Sequence, residues 1–418
     1  MNDASHTLDS HARTVALAPA PQRAKAAASL QHAAGELGVY PASIAPVYRA
    51  LADGTLPPMT VPAFNIRGMT YELARAIWRT SMALKAGPLL FELAPSESIV
   101  GDQLFEEYTA LILAAAVREG YRGPVFLQGD HFSIDSMEAI APTLELAKRV
   151  VRCGFYQIDI DASHLFDPGG ANLAEFHQPN AQATAQVISQ LRQFKPAGEF
   201  LTLGGEVGEI GGRNTTTSDL EAFYDAVISL LPPATRGLDK ISAQTGTTHG
   251  GIVLTDGTTG QMPVNFDLAA ALAGQARALG ISGLVQHGAS TMSLVDLAKL
   301  PASGVVEVHL ATQIQNIVFD HESFPAALLE KMKAHQTVGG SAEGDQDENT
   351  ERLSELQRFY KARWAAWGPF KRELLDLPTE SLETICDSLG AWVADVFRAL
   401  RIAGNAGVLE RYNTKERV

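Results

Sequence analysis

Short apolar runs recur at even intervals through the middle of the chain. They read VPAFNI (61–66), PLLFEL (88–93), VFLQG (125–129), FYQIDID (155–161), FLTLGGE (200–206), KISAQTG (240–246), ISGLVQHG (281–288) and VVEVHL (305–310). Each is too short for a helix and is bounded by glycine or polar residues, so each predicts a strand. Most are separated by stretches of helical periodicity, for example YELARAIWRTSMALK and SMEAIAPTLELAKRVV. Eight strands alternating with helices over about 250 residues is the pattern of an α/β chain closed into a (β/α)8 TIM barrel. No G-x-G-x-x-G follows the first strand, which argues against an open dinucleotide-binding sheet.

The flanks differ in composition. Residues 1–60 form an alanine-rich N-terminal helical extension whose best helical pattern is ASIAPVYRALADG, ending at Gly54 before Pro57 and Pro58. Residues 61–320 are the expected catalytic barrel. Residues 321–418 form a long C-terminal helical region containing a polar insert, GGSAEGDQDENTE, and the helical patterns RLSELQRFYKARWAAW and ESLETICDSLGAWVADVFRALRIAG. The apolar face of the last pattern, with Trp392, Val393, Val396 and Phe397, must be buried. It is expected to cap the barrel or to build the interface of a homo-oligomer.

Charge and composition narrow the functional classes. The 418 residues are 46% hydrophobic and 19% charged, with a formal net charge of −14. Neither nucleic acid nor an anionic membrane is an expected partner of so acidic a chain, although a small anionic substrate is compatible with it. No stretch approaches the roughly 18 apolar residues of a membrane span. The first residues lack the basic and apolar regions of a signal peptide, so a cytoplasmic enzyme is the expectation. Cys153 and Cys386 are far apart and form no metal or redox motif.

Barrel chemistry gathers at the carboxyl ends of the strands, and polar residues crowd there. The ends carry Asn65; Glu92; Asp130 and His131; Asp159, Asp161, Ser163 and His164; Glu206 and Glu209; His249; His287; and His309 and Thr312. A lone histidine beside an apolar strand is commonly a hydrogen-bonded structural residue, which suits His164 and His309. His131, His249 and His287 stand just beyond three different strands and would converge on one cup. Three imidazoles plus an oxygen ligand suit Zn2+ with a position open to substrate, where it acts as a Lewis acid on a carbonyl. Asp130, beside a proposed ligand, is placed to move a proton. A metal hydrolase could use similar ligands, but the first strand lacks the H-x-H pair common in barrel hydrolases. The GGRNTTT run reads as a mobile loop able to close over substrate. The loops GTTHGG and HGAST offer backbone N–H groups and the hydroxyls of Thr248 and Ser290 to an anion such as phosphate.

QGDH, IDASHL, GEVGEIGG, TGTTHGG, QHGAS and VHLATQ, in this order along the strands, resemble the class II zinc-dependent fructose-bisphosphate/tagatose-bisphosphate aldolase family from residue 61 to about residue 316. The resemblance implies His131, His249 and His287 as ligands of one catalytic Zn2+, with Glu206 as an additional or alternating ligand. It implies Asp161 near a possible second divalent or monovalent cation, and Asp130 as the group that exchanges the substrate hydroxyl proton. Gly250, Gly288, Ser290 and Thr312 would lie near the phosphate of the ketose, and Asn65 would line the site. Three departures stand out. Arg213 and Asn214 occupy the loop where the family usually carries acids, one of them the base at carbon; Glu209 or Asp219 is the expected replacement. His309 stands where the family usually has an asparagine that touches the substrate, and Ala289 and Thr291 narrow the HGAST loop. The expected function is therefore a metal-dependent aldolase on a phosphorylated or otherwise anionic ketose. A non-catalytic aldolase-like subunit and a metal hydrolase are the alternatives.

Overall fold

The computed structural model describes residues 2–194, 200–208, 212–247, 252–255, 260, 263–338 and 354–412. Among the described residues there are nine strands: β1 (Val39–Pro41), β2 (Val61–Asn65), β3 (Leu90–Leu93), β4 (Gly123–Ser133), β5 (Gln157–Asp161), β6 (Thr202–Val207), β7 (Lys240–Ala243), β8 (Leu284–Gln286) and β9 (Val305–Leu310). All pairings are parallel, and β2 to β9 follow one another around a ring that closes between β9 and β2. This is the eight-stranded barrel that the apolar runs predict, with one strand at each of them. Outward residues of the strands meet the helices. Phe64 on β2, for instance, packs edge-on against Trp392 and Phe397, at centroid distances of 6.2 and 6.0 Å.

Strand β1 was not foreseen. It pairs with the start of β4, Val39 opposite Gly123, outside the ring. Three residues carry too little pattern to register in a sequence, and the strand exists because β4 presents free backbone groups to it.

The third apolar run also behaves differently from expectation. It does not stop at Gly129 but continues as β4 to Ser133, with a shift of register between Gly129 and Phe132. The Phe132 ring folds back over Gly129 so closely that a Cβ there would lie 2.4 Å from it. Only glycine admits this. The resulting bulge leaves His131 with φ of +44°, an uncommon value for a residue with a side chain. Such bulges re-aim side chains near active sites, and this one sits at the Asp130–His131 pair.

The N-terminal region contains two helices, Asn2–Leu17 and Ala20–Glu36, besides the expected one at Ala45–Ala52. Their buried faces are largely alanine (Ala12, Ala16, Ala27, Ala34). Alanine allows close helix approach but gives a weak periodic signal, which is why the sequence pattern passed over them. Buried Glu107 accepts from Arg23 at 3.0 Å and Lys371 at 2.7 Å, tying both flanking regions to the barrel.

In the C-terminal region, the long helix Thr379–Ala399 buries Val393, Val396 and Phe397 against this same chain, chiefly beside the helix Thr70–Leu84. Its apolar stripe thus covers the barrel and needs no second copy to bury it. The polar insert GGSAEGDQDENTE lies outside the described residues. Cys153 and Cys386 are both buried and unpaired. Among the described residues, no helix is long and apolar enough to cross a membrane.

Candidate active site

Inward-facing positions recur every second residue along a strand. That spacing stacks Gln128 under Asp130, Asp159 under Asp161, and Glu307 under His309. The barrel interior is therefore layered with charge. In the lower layer, Lys240 is fully buried and its Nζ donates to Gln128 Oε1 at 2.5 Å, Glu307 Oε1 at 2.6 Å and Asp159. Tyr48, from the N-terminal region, donates its hydroxyl to Glu307. A lysine inside a barrel would be a nucleophile only when neutral. Here burial favours the neutral amine, but the Asp159 and Glu307 carboxylates more than offset it and hold Lys240 protonated. It is a cationic strut.

One layer higher, His309 sits among carboxylates. Its Nε2 lies 2.6 Å from Glu307 Oε1, and its Nδ1 lies 3.1 Å from Glu92 Oε2 and 3.3 Å from Asp130 Oδ1. Burial alone would lower its pKa, yet Glu92, Asp130 and Glu307 raise it well above the usual imidazole value. His309 is thus an imidazolium holding the floor of the site. Burial likewise opposes charge on Asp130, but His131 and His309 overcome it and keep that carboxyl well below its usual range.

At the top, His131, Glu206 and His287 bring donor atoms within 4.8 Å of one another. His131 Nδ1 is 3.2 Å from Glu206 Oε1 and 3.4 Å from Asp161 Oδ2; His287 Nε2 is 3.9 Å from Glu206 Oε1. Glu206 Oε1 is buried and has no hydrogen-bond partner among the described residues, although two imidazoles lie close to it. Donor atoms that crowd without bonding one another are how a protein presents a site to a cation. Burial, then the Asp161 charge, push the Glu206 carboxyl up to about 7, and a bound cation would reverse that shift. The residues fit a metal. Asp130 Oδ2, 3.7 Å from His131 Nε2, lies directly beneath them.

His249 and Gly250, expected as ligand and phosphate contact, lie outside the described residues, as does Glu209. The stem leading to His249 is well held: Gln244 accepts from the N–H groups of Gly246 and Thr247, and Gln286 binds Thr245 and Thr247. Beyond it, Ser354 and Gln357 of the C-terminal region donate to the carbonyls of Thr255 and Val253. Asp161 joins the site and accepts from Ser163. Asn65 also joins it, 2% exposed, with Nδ2 donating to Glu97 at 2.8 Å. His164 is exposed on the loop after β5. Ser290 Oγ accepts from the backbone N–H groups of Ala311 and Thr312, at 2.7 and 3.1 Å, so those donors are already used. Gly288 turns the chain there with φ of +66°.

Asp219, one candidate for the carbon base, is committed elsewhere. It takes a bidentate pair from Arg213 at 2.7 and 2.9 Å, caps the helix Thr217–Leu230 through Thr216, and contacts His177 at 3.0 Å. Burial would raise its pKa, but Arg213, Thr216 and His177 together hold it far below the usual value. A depressed carboxylate stabilises the fold above its unfolded pKa, near 3.9, and that contribution disappears as pH falls through the folded pKa. Arg213→Gln is therefore expected to raise the acid-unfolding midpoint and to cost on the order of 1 kcal/mol at neutral pH, the arginine being partly exposed. Circular dichroism followed from pH 7 to pH 2 reads this; coincident acid curves would refute the role.

The sequence pattern did not single out Lys240, Gln128, Glu307, Tyr48 or Glu97. Polar residues at alternate positions inside apolar strands were the available signal for the first three.

Fold and site together define a (β/α)8-barrel enzyme with a candidate metal centre above a charged floor. The chain belongs to the class II fructose-bisphosphate aldolase family, whose model matches residues 48–358. It is accordingly an aldolase, a carbon–carbon lyase. Two solved structures illustrate how far the shared fold extends. Fructose-bisphosphate aldolase from Campylobacter jejuni is 15% identical, with 88% of this chain and 96% of that one covered, at a TM-score of 0.53. A probable tagatose 6 phosphate kinase from Sinorhizobium meliloti 1021 is 17% identical, covering 81% and 100%, at 0.55.

Proposed function

We propose that the chain cleaves or forms a carbon–carbon bond in an anionic ketose with the help of one divalent cation, zinc being the ion that suits the donor set. His131, His287 and Glu206 would hold the ion, with His249 as the third imidazole and Asp161 beside a second cation. The observation that carries this reading is the convergence of His131, Glu206 and His287 over Asp130. The bound ion would supply Lewis acidity, drawing electron density from the ketone oxygen.

The chain's own residues supply the rest. Asp130, kept ionised by His131 and His309, accepts the proton of the substrate hydroxyl in cleavage and returns it in condensation. His309, hydrogen-bonded to Glu307 and ion-paired with Glu92, holds the Asp130 carboxylate in place rather than reaching substrate. Glu209 remains the proposed base at carbon, since Asp219 is occupied. Gly250, Gly288, Ser290 and Thr312 remain proposed substrate contacts. Ser290 Oγ accepts from the Ala311 and Thr312 N–H groups, so it is its O–H proton that would be donated to the substrate. The intact Asp130 and histidine set supports catalysis over a non-catalytic subunit. A cytoplasmic homo-oligomer is the proposed setting.

The test is metal analysis of the purified full chain together with retro-aldol release of a triose phosphate. About one equivalent of zinc per chain is expected, with activity lost on chelation and restored by added zinc. A metal-free protein that cleaves no ketose phosphate would refute the proposal.

A further inference from the structure

The segment before the first barrel strand is stitched across the amino ends of three others. β1 pairs with the start of β4, the Ile44 N–H donates to Gln157 Oε1 on β5 at 3.1 Å, and the Ser43 and Thr202 hydroxyls meet at 3.2 Å. The helix Ala45–Ala52 begins there and carries Tyr48 into the barrel, where its side chain is fully buried. A buried phenol needs a partner for its O–H, and this one donates to Glu307 Oε2. Burial and the Glu307 charge push the phenol's pKa well above its ordinary value, so it stays a donor.

Glu307 is held through both of its oxygens. Oε1 accepts from Lys240 Nζ at 2.6 Å and Gln128 Nε2 at 2.9 Å, and it meets His309 Nε2 at 2.6 Å. Among the described residues, Tyr48 is the hydrogen-bond donor to Oε2. A carboxylate bound through one oxygen can turn about its last side-chain bond, a soft torsion; bound through both, it cannot. Tyr48 therefore fixes the plane from which Oε1 meets His309. Gripped at Nε2, the His309 ring directs Nδ1 at Glu92 Oε2, 3.1 Å away, and at Asp130 Oδ1, 3.3 Å away. Asp159 Oδ2, 3.8 Å from the same Nε2, is the carboxylate that would draw the ring aside if Glu307 turned.

We infer that Tyr48 is a positioning residue for Asp130, acting from the amino end of the barrel through Glu307 and His309. It touches neither substrate nor metal. Its kinetic consequence rests on the proposed aldolase reading, in which Asp130 takes the substrate proton; its geometric consequence does not. The amino-terminal region is thereby part of the working unit and more than an appendage to the barrel.

Tyr48→Phe keeps the ring and removes only the hydroxyl. Crystal structures of wild type and variant read the geometry without turnover: His309 Nδ1 should stay within about 3.5 Å of Asp130 in wild type and move beyond that reach in the variant. In retro-aldol assays kcat should fall about tenfold, with KM and bound metal within about twofold of wild type. The same change in the Asp130→Ala background should cost less than about twofold, because the group it positions is already gone. A hydroxyl that merely supported the fold would cost the same factor in both backgrounds. Glu307→Gln breaks the chain one link higher, guards against a folding defect in the phenylalanine variant, and should show the same dependence on Asp130. His309 unmoved in Tyr48→Phe, or equal losses in the two backgrounds, overturns the role. A wild type that cleaves no ketose, with His309 displaced in the variant, leaves the positioning standing and removes the aldolase reading instead.

Discussion

Asp130→Ala is expected to lower kcat for ketose cleavage by roughly 10²- to 10⁴-fold, the range of a lost general acid–base, while the protein keeps its metal and its fold. The expectation follows from position. Asp130 lies beneath His131 and above His309, 3.7 and 3.3 Å from their nearest nitrogens, and is 4% exposed. Removing its carboxylate takes away a proton acceptor but leaves the donor atoms of His131, Glu206 and His287 in place. Asp130→Asn separates the two roles a carboxylate can have. The amide preserves shape and one acceptor yet takes up no proton, so it should be nearly as slow as alanine. Steady-state rates with metal content measured on the same preparations check this. A variant that retains zinc and more than a tenth of wild-type kcat would remove Asp130 from the mechanism.

Lys240→Met is expected to cost about 3–5 kcal/mol of stability, the range found when one partner of a buried ion pair is removed. Burial works against both of its carboxylate partners, with unequal results. Lys240, His309 and their hydrogen bonds more than compensate Glu307 and hold it down to about 2, whereas Asp159 stays pushed up to about 6. Without the ammonium, Asp159 has a ready escape by taking a proton; Glu307 does not. The double variant Lys240→Met, Glu307→Gln should therefore recover part of the loss, and the coupling would be read from a double-mutant cycle of urea unfolding. A single variant as stable as wild type would mean that the barrel floor is organised by something other than this lysine.

How much of this was legible beforehand varies by element. The barrel strands were readable because each is buried on both faces, and a parallel sheet writes that condition into the sequence as a compact apolar run. The inner histidines and acids were readable for a related reason: they interrupt those runs or end them, where barrel chemistry belongs. The alanine-rich N-terminal region was expected to be helical, but its first two helices were not individually readable, since packing against the helix Phe105–Arg118, more than periodicity, stabilises them. Gly129 read as a stop because a glycine ending an apolar run ordinarily is one; the Phe132 ring that makes it a bulge instead is a tertiary contact.

The site shows the same division. Side-chain identity placed His131, His287, Glu206 and Asp130 at strand ends, and strand order brought them to one mouth. Identity could not say which charges would meet. His309 looked like a hydrogen-bonded structural residue or a substrate contact in place of an asparagine; four buried carboxylates around it, among them Glu307 two residues away, make it part of the floor. Asp219 looked like a free acid near a loop, and Arg213, six residues earlier, claims it together with a helix cap.

The amino-acid sequence by itself determined the barrel, the strand ends that carry the chemistry and the family, because burial and parallel pairing act on local patterns of residues. The pairing of charges was decided only by the tertiary structure. An ion pair or a shared hydrogen bond is set by distances of 3–4 Å between residues far apart in the chain, and at that scale the interior of the barrel, rather than the order of its residues, sets which partner each group finds.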